Sequence, residues 1–291
     1  MTAIESGEMT TYNRLRFKYN GRMVERPLLT SLSNPLVKRV RALRSHKARA
    51  ESGLFLVEGL HHIGAAIEAG WRLEALLYAP DLLTGDFAAS LLGDARRLGL
   101  TPQPVSVEVM ESLSEKENPQ GLLAVVEQRR ASLETVRGLR SAVALVSPQD
   151  PGNVGAILRS IDAVAADALF LLHAPQEERG AVDLYHPTLV RASMGALFWK
   201  PVVQATFDEF VSWVRQTGCR LIGSSAHASL DYRAYRPGDE RWILLLGNEQ
   251  KGLSAAQLAA CDVVLSLPMR GKVSSLNLAV AAGVLLYALK Q

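Results

Sequence analysis

Two cysteines in 291 residues are too few for a disulfide framework. Cys219 and Cys261 each open an apolar run, Leu221-Ile222 and Val263-Val264-Leu265, and share no CxxC or Cys/His spacing. They are expected to be buried, reduced thiols of a cytoplasmic protein, with no metal site. The six histidines are scattered, and no H-E-x-x-H or G-x-S-x-G occurs. No G-x-G-x-x-G follows a strand-like run, so the usual dinucleotide fingerprint is missing. Gly247 to Gly252 has P-loop spacing, but Leu253 stands where that loop needs lysine, which excludes a nucleoside triphosphatase. Glu5 and Glu8 replace the apolar stretch of a signal peptide. The run Leu276 to Leu289 is short and carries Asn277, so it reads as a buried helix and not a membrane span.

Acids are scarce in one place. Between residues 11 and 50, Glu25 is the only one against eleven Lys and Arg. That segment carries +10 in a chain of net +3, so the remainder is −7. Such asymmetry points to a polyanionic partner.

The length suggests two domains. Residues 1–29 are polar, basic and aperiodic and read as a flexible arm. Asn34-Pro35 predicts a helix start, with Asn as cap and Pro in the first turn. Leu36, Val37, Val40 and Leu43 form its apolar face, leaving Lys38, Arg39, Arg41 and Lys47 largely outside. Strand-like runs at 54–57, 75–78, 105–107 and 121–126 alternate with helix-like segments at 60–69, 86–98 and 108–114. This pattern predicts a small α/β domain over 30–128. His61-His62 opens one of these helices, where it could touch RNA, although an incidental surface pair is the plainer reading.

The charged, weakly apolar stretch 129–140 reads as a linker to a second α/β series over 141–291. Strands are expected at 143–146, 168–172, 201–204, 220–223, 242–246 and 263–267. Helices are expected near 153–164, 188–197, 207–217, 254–260 and 275–289. Strands separated by helices imply a mainly parallel sheet, and neighbour rules alone suggest an ordinary doubly wound topology.

Three stretches of this second series share one plan, an apolar run, a polar loop with Gly or Pro, and a helix entry. They are Asp150-Pro151-Gly152-Asn153-Val154-Gly155 through Arg159-Ser160, then Leu246-Gly247-Asn248-Glu249-Gln250-Lys251-Gly252, then Leu267-Pro268-Met269-Arg270-Gly271-Lys272-Val273-Ser274-Ser275-Leu276-Asn277. Ligands of open α/β sheets bind beyond the carboxyl ends of the strands, where these loops lie. Gly155 suits a close backbone approach, and Gly247 suits the approach of a ligand. Glu249 reads as a helix-start charge, a structural acceptor, or the holder of an arginine. Ser274 or Ser275 serves as a helix cap or a ligand contact, and Asn277 within an apolar helix needs partners if buried.

In order and wording these motifs resemble those of the SpoU family of RNA ribose 2′-O-methyltransferases. His186-Pro187 with Arg191-Ala192-Ser193-Met194-Gly195-Ala196 is similar to the stretch between them. Phe55-Leu56-Val57-Glu58-Gly59 and Asn118-Pro119-Gln120-Gly121 are similar to the family's N-terminal RNA-binding domain. The resemblance implies S-adenosylmethionine as methyl donor, a homodimer, and a deep trefoil knot threading the C-terminal helix. It assigns Leu246, Gly247, Leu267, Met269 and Leu276 to the cofactor. It assigns Asn153, Arg159, Glu249, Ser275 and Asn277 to the catalytic neighbourhood. The basic helix suggests Lys38, Arg39, Arg41, Arg44 and Lys47 for RNA. Arginine stays protonated and is a poor base, so Arg159 is expected to clamp a phosphate and stabilise the developing alkoxide. Ribosomal RNA, in particular 23S, is the expected substrate. A transfer-RNA enzyme and a catalytically idle RNA-binding relative are the alternatives.

Overall fold

The computed structural model of the chain describes residues 26–173 and 182–291. The first 25 residues of the expected basic arm lie outside them. Leu29, also assigned to the arm, joins the first domain: its N–H donates to Pro104 O at 3.0 Å and its carbonyl accepts from Ser106 N at 2.9 Å.

The N-terminal region opens with α1 (Pro35–Ala42), where Asn34 accepts from Leu36 N at 2.9 Å and Pro35 fills the first turn. Val37, Val40 and Leu43 are buried, so the apolar face docks as the spacing requires. The chain continues through α2 (His46–Ser52), β1 (Leu54–Glu58), α3 (Leu60–Glu68), β2 (Leu73–Tyr78), α4 (Asp86–Arg97), β3 (Gln103–Pro104), α5 (Val107–Leu113) and β4 (Leu122–Glu127). Its four-stranded sheet has the order β1-β4-β2-β3, with β4 antiparallel to both neighbours and β3 parallel to β2. The strand expected at 105–107 is displaced. Ser106 instead caps α5 by accepting from Val109 N, and the alternation of Val105 and Val107 spans a strand end and a helix start.

Residues 129–140 are more than a tether. They hold a 3₁₀ turn at Leu133–Val136, and Val136 and Leu139 are buried against the second sheet. Then come β5 (Ser141–Val146), α6 (Pro151–Ala163), β6 (Ala168–His173), α7 (Pro187–Ala192), α8 (Ala196–Trp199), β7 (Val202–Thr206), α9 (Phe207–Thr217) and β8 (Arg220–Ser224). The short β9 (Leu230–Asp231), β10 (Trp242–Leu246), α10 (Ala255–Ala260), β11 (Val263–Ser266) and α11 (Leu278–Leu289) complete the chain. The seven-stranded order is β7-β6-β5-β10-β8-β11-β9, and every pairing is parallel. The central strands are buried throughout, as a parallel sheet covered on both faces demands.

The helix expected at 188–197 is two helices. Met194 (φ 50°) and Gly195 (φ 94°) break it in left-handed conformations. The resulting corner admits α3, whose Ala65 packs against Gly195. One apolar cluster runs through both regions. Phe55 lies 4.5 Å from Tyr185 between ring centroids, and Trp71 meets Phe198 edge-on at 5.3 Å while donating its indole N–H to Phe198 O. Arg49, 2 % exposed, crosses the same seam. It donates to Asp183 Oδ2 and to the carbonyls of Leu43 and Arg44.

Candidate active site

Strand β5 has β6 on one side and β10 on the other, so the chain diverges between β5 and β10. That is the topological switch point where an open sheet binds ligands. All three motif loops leave the carboxyl ends of β5, β10 and β11. After β5, Ser147 turns through a left-handed conformation (φ 43°) and Asp150 caps α6 by accepting from Asn153 N at 2.8 Å. The Asp-Pro-Gly-Asn wording thus reads directly as a cap followed by a first-turn proline.

The first and third motifs meet through one bond. Asn277 Nδ2 donates to Asn153 Oδ1 at 2.9 Å. The expected helix at 275–289 begins only at Leu278, and Asn277 is its cap, accepting from Ala279 N and Val280 N at 2.9 and 3.3 Å. Asn277 is therefore exposed and outside the helix, and neither Ser274 nor Ser275 does the capping. Ser275 stands exposed in the preceding loop.

The second motif folds on itself. A Cβ on Gly247 would lie 2.1 Å from the Gly252 carbonyl carbon, so its missing side chain admits the loop's own backbone. Asn248 ties the hairpin to the first motif, its Nδ2 donating to Ser147 O at 2.9 Å while its Oδ1 accepts from Gln250 N and Lys251 N. The sequence reading missed this role, although Asn two residues ahead of the backbone N–H that it binds is an Asx-turn signal. Glu249 lies over the start of α6, its carboxylate 3.3 Å from Gln149 N. It acts as a structural acceptor, and no bond to Arg159 forms.

Gly155 behaves as expected, because a Cβ there would sit 2.6 Å from Leu189 O. Helix α7 thus lies directly on α6. Arg159 is exposed and, among the described residues, forms no ion pair or hydrogen bond. It stands six residues after Asn153, roughly 9 Å along the axis and about 240° around it, so the two do not converge on one point of the helix.

The third loop is suited to a cofactor. Among the described residues, the backbone from Pro268 to Leu276 makes no hydrogen bond, leaving its N–H and C=O groups available. Leu276 is 39 % exposed beside it, while Leu267 and Met269 are half-buried and Leu246 is buried. Open peptide groups beside apolar side chains fit a heterocycle such as adenine, which needs both edge contacts and a nonpolar cover. Among the described residues, no three His, Cys, Asp or Glu side chains gather as a metal site.

Many charges of the basic N-terminal segment are already engaged. Arg39 pairs with Glu74, Arg41 donates to Ser112 Oγ at 2.9 Å, and Arg44 donates to Ser114 O. Lys47 stands 3.9 Å from Glu51, and Arg49 is buried. Lys38 is exposed and unpaired among the described residues.

A parallel α/β sheet with motif loops at its switch point and a third at the same end, after β11, fits a cofactor-binding enzyme. Residues 140–287 match the SpoU rRNA Methylase family, and residues 34–124 match the MRM3-like substrate binding domain. The chain belongs to the SpoU rRNA methylase family. It is 35 % identical over 254 residues to the 23S rRNA (uridine(2479)-2′-O)-methyltransferase of Streptomyces viridochromogenes, covering 84 % of this chain and 85 % of that one. It is 28 % identical over 262 residues to the 23S rRNA (guanosine(2553)-2′-O)-methyltransferase RlmP of Bacillus subtilis, covering 90 % and 98 %. The AdoMet-bound rRNA methyltransferase from Sinorhizobium meliloti superposes with a TM-score of 0.80 at 31 % identity, covering 90 % of this chain and 96 % of that one.

Proposed function

We propose that this protein transfers a methyl group from S-adenosylmethionine to a ribose 2′-hydroxyl of 23S ribosomal RNA. The observation carrying this reading is the Asn153–Asn277 bond, which joins the first and third motifs beside the open backbone of residues 268–276. The relatives that modify 23S rRNA support the choice of RNA over transfer RNA.

The cofactor supplies an electrophilic methyl group on a sulfonium. Leu246, Gly247, Leu267, Met269 and Leu276 would hold it, with Leu276 covering one side. The chain's task is alignment of the 2′-oxygen and exclusion of water. With the cofactor bound, the 2′-oxygen would take the methyl group from sulfur and give up its proton, and these residues would hold that oxygen in line. Arg159 contributes charge as a clamp on a neighbouring phosphate that also steadies the alkoxide. Asn153 and Asn277 hold the helix entries on either side, Glu249 fixes the loop between β5 and α6, and Ser275 stands at the mouth.

Residues 30–128 act in this reading as the RNA-binding domain and 141–291 as the methyltransferase domain. The trefoil knot is supported by β10, which inserts between β5 and β8 although it follows both, and by α11, which returns to pack on α6. A homodimer is supported by the apolar stripe on α11, where Val280 and Tyr287 are 51 % and 59 % exposed. Among the described residues, no helix is long and apolar enough to cross a membrane. In this reading the protein meets its ribosomal RNA in the cytoplasm.

The test is radiolabelled methyl transfer to 23S rRNA fragments and to transfer RNA, followed by nuclease digestion. The expected product is a 2′-O-methylnucleoside from 23S rRNA. Label on a base, or on transfer RNA alone, would overturn the assignment.

A further inference from the structure

We infer that the seam between the two regions holds a phosphodiester of the substrate RNA, at a notch made by His62, Lys116, Arg191 and the first turn of α3. This rests on the RNA methyltransferase reading and adds a contact remote from the three motif loops.

Two stretches singled out in the sequence converge here. Phe55 to Gly59 ends β1, and Asn118 to Gly121 leads into β4, its antiparallel neighbour. Helix α3 starts at Gly59 with no side-chain cap, and among the described residues the N–H groups of Leu60, His61 and His62 make no hydrogen bond. Gln120 Oε1, Lys116 Nζ and His62 Nδ1 stand 2.9, 3.4 and 3.8 Å from the place a Cβ on Gly59 would occupy. Neither Lys116 nor Arg191 has an ion-pair partner among the described residues. A helix start with free N–H groups beside Lys116, opening on a cavity that Arg191 also lines, is a receptor for an anion.

His62 supplies the independent sign of a ligand. The residue is only 7 % exposed and its Nε2 donates to Arg191 O at 3.2 Å. Among the described residues its Nδ1 makes no hydrogen bond, and the ring lines the cavity at the seam. Burial lowers the His62 pKa, against the bond to Arg191 O, and the charges of His61, Lys116 and Arg191 lower it further. Glu58 and Glu115 also line the cavity. Glu58 is turned into its own loop, accepting from Ser114 Oγ at 2.6 Å and Glu115 N at 3.3 Å, and so holds Lys116 in place. A phosphate beside Nδ1 favours the protonated ring, which can donate to it.

Size selects the ligand. The cavity is about 30 Å³, room for roughly two water-sized atoms. That is too small for a base and suits the two free oxygens of a phosphodiester lying across its mouth. Leu56, Leu113 and Val190 form a nonpolar floor that strengthens the attraction above it. The opposite flank of α7 packs on α6, so the notch lies about one helix diameter, roughly 10 Å, from the motif loops. A phosphate fixed there sets the register of the RNA without reading its sequence.

The test uses the full chain and a labelled 23S rRNA fragment that it methylates, with affinity measured against salt concentration. Lys116→Gln and Arg191→Gln are each expected to lower the slope of log affinity against log salt by about 0.7, with the double variant near twice that. Each should raise KM several-fold more than it lowers kcat, while S-adenosylhomocysteine binding stays intact. Arg137→Gln, at an exposed charge of the inter-sheet stretch, should leave the slope alone. An unchanged slope in the double variant, with S-adenosylhomocysteine still bound, overturns the notch, as does an equal loss in Arg137→Gln. A wild-type chain that methylates no RNA overturns the enzyme assignment itself, and that result is read before any variant.

Discussion

The N-terminal four-stranded region and the C-terminal seven-stranded region use their polar groups in opposite ways. In the first, charge is largely consumed by structure: Arg49 is buried on Asp183, Arg39 pairs with Glu74, and Arg41 and Arg44 bind the end of α5 and the loop beyond it. In the second, among the described residues, Arg159 on α6 is unpaired and the backbone of 268–276 makes no hydrogen bond. A count of basic residues therefore overstates the first region as an RNA surface and gives no hint of the free groups in the second. Charge available for binding is what remains after folding has taken its share.

The largest expected effect tests whether Arg49 belongs to the fold. Removing one partner of a buried pair leaves the other charge uncompensated, at about 3–5 kcal/mol. Arg49→Ala should lower stability by that amount in chemical denaturation. A loss below about 1 kcal/mol, of the size usual for exposed pairs, would show that Arg49 does not hold the seam.

Arg159 tests the opposite case, a charge that folding does not use. Arg159→Ala should reduce kcat by about 10²–10³-fold, the usual loss for one preorganised charge-stabilising group. Stability and S-adenosylhomocysteine binding, the latter followed by calorimetry, should be nearly unchanged. Loss of cofactor binding would make Arg159 part of the cradle and remove the contrast with Arg49.

Gly247 sharpens the comparison within the second region. Gly247→Ala must push Gly252 away, and such overpacking costs about 1–3 kcal/mol. Because the same hairpin supports the cofactor loops, S-adenosylhomocysteine affinity should fall with stability. Equal affinity in the variant would separate the hairpin from the cofactor.

What could be read in advance followed local signals. Asn34-Pro35 announces α1, and Thr206 with Glu209 forms a reciprocal cap at the start of α9, the helix expected at 207–217. Buried parallel strands such as Trp242–Leu246 show as continuous apolar runs. What could not be read depends on partners distant in sequence. Gly247 looks ligand-facing until Gly252 folds over it, and the break at Met194 follows from the packing of α3 against Gly195. The placement of β10 between β5 and β8 has no local signature at all. The family wording supplied the candidate site residues, while the sequence pattern alone offered an ordinary doubly wound sheet.

The smallest effect separates two roles of a single side chain. Asn277 Oδ1 caps α11, and its Nδ2 bridges to Asn153. Loss of a cap costs typically about 1 kcal/mol, so Asn277→Ala should be destabilised by that much and should also lose the bridge. Asn277→Asp keeps an oxygen for Ala279 N and Val280 N, and a negative charge at a helix start is favourable. It cannot donate to Asn153 Oδ1, and two acceptor oxygens would then face each other. If the bridge aligns the first and third motifs, Asn277→Asp should retain near wild-type stability while methyl transfer falls about as far as in Asn277→Ala. Thermal melts and initial rates on one preparation read both quantities. Full activity in Asn277→Asp would show that the asparagine is there for the helix alone, and the second region would then use this polar group as the first region uses Arg49.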